Sequence, residues 1–111
     1  MKSDLEKNKH YYAVIFTSNL SNDTTDYSTA SDKMEELAKQ QPGFLGVESA
    51  RDHSGLGITI SYWESLEAIE NWKTNVLHIE AKKRGREQWY KNFHLRICLV
   101  EKEFKFHRGT L

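Results

Sequence analysis

Apolar and polar positions alternate along four stretches of the chain and recur at helical spacing along the segments between them. From Tyr11 to Ser18 the residues are largely β-branched or aromatic, which predicts a first strand. Tyr12, Val14 and Phe16 fall on one side of it, and Tyr11, Ala13 and Ile15 on the other. Both sides are apolar, so both are expected to be covered. The polar linker Ser21 to Asp26 leads into a helix over about Thr25 to Gln40. There Tyr27, Ala30, Met34, Leu37 and Ala38 form one apolar stripe, while Asp32, Lys33, Glu35, Glu36 and Lys39 line the solvated side. Gln41-Pro42-Gly43 stops that helix, because proline cannot continue it and glycine permits a sharp reversal.

A second strand over Phe44 to Arg51 and a third over Ile58 to Trp63 are joined by Asp52-His53-Ser54-Gly55 and Gly57. The short glycine-rich connection predicts an antiparallel hairpin. Ser65 is a natural N-cap for a short helix over Leu66 to Trp72, and Thr74 or Asn75 for a second piece over Val76 to Trp89. On that piece Leu77, Ala81, Arg84 and Gln88 make one stripe, and His78, Lys82, Gly85 and Trp89 the adjacent one. The last strand is expected over Phe93 to Phe104. The order strand, helix, strand, strand, helix pair, strand predicts an α+β protein with the ferredoxin-like β-α-β-β-α-β sandwich. Residues 1–9 read as a flexible lead-in, 10–104 as the single domain and 105–111 as a tail. Helices in a chain this short cover one sheet face, so a symmetric homodimer is expected to cover the other.

Composition removes several classes of function. The chain has 111 residues, 16 basic and 16 acidic, so its formal net charge is zero. A neutral domain lacks the positive footprint of a nucleic-acid binder or of a protein held on an anionic membrane. No stretch approaches the roughly 20 apolar residues that span a bilayer, and no apolar run follows the polar start, so a cytoplasmic location is expected. The one cysteine, Cys98, sits in the apolar run Leu95 to Val100 and reads as a packing residue. His10, His53, His78, His94 and His107 are scattered without ligand spacing, so no metal site is expected. There is no NAD, FAD or ATP fingerprint.

Three stretches together carry a family resemblance: Gln41-Pro42-Gly43-Phe44-Leu45-Gly46, Ser61-Tyr62-Trp63-Glu64-Ser65-Leu66-Glu67-Ala68-Ile69, and Trp72 followed by His78. They resemble the antibiotic biosynthesis monooxygenase (ABM) domain family, and in particular its small stand-alone members, over about residues 10 to 104. The resemblance implies a dimeric α+β barrel with one pocket per subunit between sheet and helices. It also implies one of two chemistries: oxidation of an aromatic substrate by molecular oxygen with no metal or flavin, or binding and degradation of haem.

Oxygenation without a cofactor demands a base near neutral pKa, hydrogen-bond donors for the substrate anion, and dry aromatic walls. By residue type His78 is the base and Asn75 an amide donor. Trp63, Trp72, Trp89 and Tyr12 are candidate pocket walls. Each has a packing counterpart: Trp63 and Trp72 holding the short helix to the sheet, Asn75 as a plain cap, His78 in solvent at a helix start, Trp89 in the core or at a dimer contact, and Tyr12 in the sheet. Haem is disfavoured. Haem-degrading relatives place an axial histidine about ten positions after the tryptophan and an asparagine on strand one. Here Lys82 stands ten after Trp72, and Tyr11 to Phe16 contain no asparagine. The basic run Lys82 to Arg86 reads as a solvated helix face. Three functions follow: a cofactor-independent monooxygenase of a small aromatic or enolisable compound that requires no cofactor, a binding protein for haem or another flat apolar ligand, or a non-catalytic dimeric interaction module.

Overall fold

The computed structural model describes residues 10–109. Its elements run β1 (Tyr11–Leu20), α1 (Tyr27–Lys39), β2 (Phe44–Arg51), β3 (Leu56–Trp63), α2 (Leu66–Lys73), α3 (Val76–Arg84), a π-helical turn (Gly85–Trp89) and β4 (Tyr90–Val100). The strands form one antiparallel sheet in the order β2-β3-β1-β4. This is the ferredoxin-like arrangement of the α+β class, with β3 lying between the two strands that α1 joins. The expected lead-in, residues 1–9, lies outside the described residues, as do 110 and 111.

The boundaries that differ from expectation do so because pairing partners set them. β1 runs to Leu20 because Asn19 faces Leu56 on one side and Asn92 on the other, and Leu20 faces Tyr90. β3 starts at Leu56 for the same reason. β4 starts at Tyr90, not Phe93, and stops at Val100, not Phe104, because Val100 lies opposite Tyr11, the first residue of β1. Helix α1 begins at Tyr27 rather than Thr25. Asp26 adopts left-handed backbone angles (φ 65°) in a turn closed by the Tyr27 N–H on the Thr24 carbonyl, 3.0 Å away. The last helix keeps α geometry only to Arg84 and then widens. The wide turn is held at its end, where the Trp89 indole donates to the Thr25 carbonyl (2.8 Å) and the Trp89 carbonyl accepts from the Ser21 N–H (2.7 Å).

The core sits where α2 meets the sheet. Trp63, Ala68 and Ile69 are buried, with Tyr12, Val14, Phe44 and Trp72 packed against them. Trp63 is 0% exposed, lies in register with Tyr12 on β1 and Phe44 on β2, and donates its indole N–H to the Ser61 hydroxyl at 2.9 Å. Ser65 caps α2 as expected, its hydroxyl accepting from the Ala68 N–H at 3.0 Å. Gly43 has φ 83°, and a Cβ there would stand 2.6 Å from Ala68 Cβ. The Pro42-Gly43-Phe44 turn thus needs glycine twice, once for its backbone and once for the close approach of α2.

Two stability outcomes follow. Trp63→Ala should cost about 3–5 kcal/mol, the range for emptying a buried aromatic site. Gly43→Ala should cost about 1–3 kcal/mol from backbone strain and the clash together. Urea unfolding followed by circular dichroism measures both, and a loss under about 0.5 kcal/mol for either would contradict this packing.

Candidate functional site

The break between α2 and α3 builds the first half of the site. The Thr74 hydroxyl donates to the Glu70 and Asn71 carbonyls and closes α2. The Asn75 side-chain oxygen accepts from the Leu77 and His78 N–H groups (3.0 and 3.3 Å) and starts α3. The reversal is tight enough to bring Trp72 and His78, six residues apart, into a stack with ring centres 4.2 Å apart and planes 15° from parallel. Trp72 in turn stacks on Trp63 (6.1 Å, 26°), and Phe44 meets Trp63 edge-on (5.4 Å). A column of three aromatic rings therefore runs from the core strand to the half-buried imidazole.

The column also sets the protonation of His78. Its Nδ1 lies 3.1 Å from the Trp72 carbonyl, which can only accept. Nδ1 therefore carries the hydrogen and Nε2 the lone pair. Burial pushes the His78 pKa below its ordinary value, more strongly than the carbonyl bond raises it, and the Lys82 ammonium adds a further lowering. The ring is neutral at pH 7 with Nε2 free to take a proton. Lys82, whose own pKa is lowered chiefly by burial, donates to the Lys73 carbonyl at 3.2 Å.

The second half lies elsewhere. An open cavity of about 620 Å³ separates α1 from α3, lined among others by Met34, Leu37, Leu77, Ala81, Arg84 and Trp89. The Arg84 guanidinium sits 5.1 Å over the Trp89 ring, bonds the Gln88 side-chain oxygen at 3.0 Å and pairs with Asp26 at 2.9 Å. Of the residues singled out from sequence, the structure gathers Trp63, Trp72, His78, Asn75 and Tyr12 at one end of the sheet. Trp89 stands at the other, since its neighbour Tyr90 pairs with Leu20 while Trp63 pairs with Tyr12. Eight residues of strand at about 3.3 Å each put those pairs roughly 26 Å apart along β1. The Leu77, Ala81 and Arg84 stripe was legible as a stripe; that it faces a cavity rather than the sheet was not.

Sequence reasoning also missed a polar cluster near that end. Arg51 donates to the buried Ser18 hydroxyl (2.9 Å), the Tyr27 hydroxyl (3.1 Å) and the Gly55 carbonyl (2.5 Å). The Tyr90 hydroxyl bonds that of Tyr27 at 3.4 Å, and burial pushes the Tyr90 pKa up. This cluster ties the β2–β3 hairpin to α1. The available signal was Gly57, which faces Arg51 across the ladder and leaves room for its guanidinium. No group of three or more potential metal-ligating side chains occurs among the described residues. Among them, too, no helix is long and apolar enough to cross a membrane.

The model of the antibiotic biosynthesis monooxygenase (ABM) family matches residues 13–84, and the chain belongs to that family. Its sequence is 45% identical over 100 residues to the uncharacterized Bacillus subtilis (strain 168) protein YqjZ, covering 90% of this chain and 88% of YqjZ. Solved structures share the fold at low identity. A Pseudomonas aeruginosa protein superposes with TM-score 0.70 at 16% identity, over 87% of this chain and 98% of its own. SnoaB of Streptomyces nogalater, a cofactor-independent oxygenase, superposes with TM-score 0.65 at 11% identity, over 87% and 96%.

The lowered pKa of His78 makes a pH prediction. The unfolded chain takes up this proton first, near its ordinary value of about 6.5, so acid favours unfolding. The His78 contribution to stability is present above that pH and is lost as pH falls toward the lower folded value. Urea midpoints measured from pH 7.5 down to 5 should fall more steeply for the native chain than for His78→Gln. Equal slopes would show that His78 is not held neutral.

Proposed function

We propose that this chain is a cofactor-independent monooxygenase acting on a small aromatic or enolisable compound, and that it works as a cytoplasmic homodimer. The observation that carries the reading is His78, a half-buried neutral imidazole with Nδ1 tied to the Trp72 carbonyl and Nε2 available as a base. In this role Nε2 takes the proton of a phenol or enol and leaves an electron-rich anion that reacts directly with oxygen. One oxygen atom enters the substrate as a carbonyl; the other leaves as water with two hydrogens, the O–H proton that Nε2 took up and returns, and the C–H hydrogen of the oxidised carbon. Trp72 and Trp63 supply apolar walls, and the Asn75 amide, whose oxygen is engaged as a cap, keeps its N–H groups for an anion. Family membership and the fold shared with SnoaB support the same reading.

The test is oxygen uptake with a panel of phenols and quinols. The expected result is turnover that His78→Ala lowers by about 10²- to 10⁴-fold. Turnover unchanged in the variant would remove His78 from the mechanism.

One observation favours a second reading, retention of a flat apolar ligand without turnover: the α1–α3 cavity is lined along α3 by Leu77, Ala81 and Arg84, and His78 is not among its lining residues. A hemin titration followed by visible absorption separates the two. The first reading expects no saturable Soret band that depends on His78. A stoichiometric band that disappears in His78→Ala would favour the second.

A further inference from the structure

The basic run Lys82 to Arg86 divides instead of forming one solvated face. Arg84 turns toward α1, where it pairs with Asp26. Lys82 is half-buried and stands one helical turn beyond His78 on α3, about 6 Å further along the axis at roughly 1.5 Å per residue. It donates to the Lys73 carbonyl, at the end of α2, at 3.2 Å. Arg86 follows another turn on, and its guanidinium sits 5.9 Å over the Phe93 ring of β4. His78, Lys82 and Arg86 thus follow one side of the helix and of the turn that continues it.

An apolar row runs beside them. Trp63, on which the His78 column stands, is in register with Tyr12, and Tyr12 with Leu99. Helix α3 therefore starts at the Leu99 end of β4, and Arg86 reaches the Phe93 end. Phe93, Leu95, Ile97 and Leu99 lie opposite Ser18, Phe16, Val14 and Tyr12, share the helix-facing side of the sheet with them, and are each 40–48% exposed. The helices leave this strip uncovered, so it is an apolar floor with cations along one wall.

Those cations are short of partners. Among the described residues the ion pairs are Lys39 with Glu36 and Arg84 with Asp26, and neither includes Lys73, Lys82 or Arg86. After burial, Lys73 and Arg86 push the Lys82 pKa down, and Glu70 pushes it up. Three cations share one nearby carboxylate, an excess that favours an anionic ligand.

We propose that the compound taken up at His78 is a flat aromatic acid, its ring on the β4 row, its carboxylate held by Lys82 and Arg86, and its phenolic or enolic O–H at His78 Nε2. This rests on the reading of His78 as the base. Two adjacent cations, one of them a guanidinium fork, suit the two oxygens of a carboxylate. The floor side chains carry no hydrogen-bonding group, so the rest of the ligand is apolar. Hydroxyl and carboxylate stand at opposite ends of the ring system, because His78 and Lys82 are a helical turn apart.

The test is calorimetric titration of the full chain under argon, which reads binding apart from turnover, with 6-hydroxy-2-naphthoate and with neutral 2-naphthol. The expected result is that the acid binds at least about tenfold more tightly at low salt. Lys82→Gln/Arg86→Gln, its fold confirmed by circular dichroism, should abolish that difference and leave naphthol binding unchanged. Equal affinities, or an advantage for the acid that survives in the variant, would overturn the proposal. Salt gives an answer on the unaltered protein: the advantage should shrink toward about 1 M sodium chloride, and a salt-independent advantage would overturn it. Oxygen uptake separates this from the reading beneath it. Turnover of phenols that needs His78 but shows no preference for the acid would overturn the carboxylate and leave the base standing. Preferential binding of the acid through Lys82 and Arg86 without oxygen uptake would support the anion site and remove the oxygenase.

Discussion

The burial of Trp63 is the constraint on which the rest of the molecule hangs. It is the last residue of the central strand β3 and has neighbours in β1, β2 and α2. Its indole N–H would be costly in the core without a partner, and Ser61, two residues back on the same sheet face, supplies one. With that bond made, the flat ring becomes a base on which Trp72 lies, and Trp72 a base on which His78 lies. Helix α2 is therefore placed by packing on Trp63 and α3 by stacking on Trp72. The orientation of the imidazole is inherited from the strand rather than from the loop that precedes it. An imidazole held in this way is preorganised, which is what the base role proposed for it requires.

The opposite end of the sheet is organised on another principle. There polar atoms do the joining: Arg51 reaches Ser18, Tyr27 and Gly55, Trp89 reaches Thr25, and Arg84 reaches Asp26. Rings are present as well, with Tyr27 meeting Trp89 and Tyr90 edge-on, but they surround the hydrogen bonds instead of forming a column. Helices α1 and α3 stay apart, and the cavity between them runs along α3 from Trp89 to Leu77, the residue before His78.

Local chemistry made much of this legible in advance. Alternation in β1, proline-glycine at 42–43, Ser65 and Asn75 ahead of helical runs, and the α1 stripe are each decided within a few residues, and each appears where expected. The closeness of Trp72 and His78 was also within reach, since a helix break of known caps fixes a six-residue separation. What escaped was decided at a distance. The end of β4 is set by where β1 begins, which no window around Phe104 contains. The separation of Trp89 from Trp72 follows from strand register, and the Arg51 cluster from a contact across two strands and a helix. The widening at Gly85 has no compositional mark of its own beyond the glycine, because α and π turns accept the same side chains.

That widened turn has an evolutionary consequence. A π-helical turn amounts to one extra residue accommodated inside an α-helix, with the flanking hydrogen bonds kept. Gly85 leaves room there for the Tyr90 ring, whose nearest carbon would lie 2.8 Å from a Cβ at that position. Losing one residue between Arg86 and Gln88 would return the segment to α geometry and rotate Trp89 away from Thr25, reshaping the cavity floor. The Trp63 column is anchored at the other end of the sheet and would not feel the change. The shape of the cavity floor and the placing of the His78 imidazole can therefore change separately, and a lineage could alter one by insertion or deletion while holding the other still.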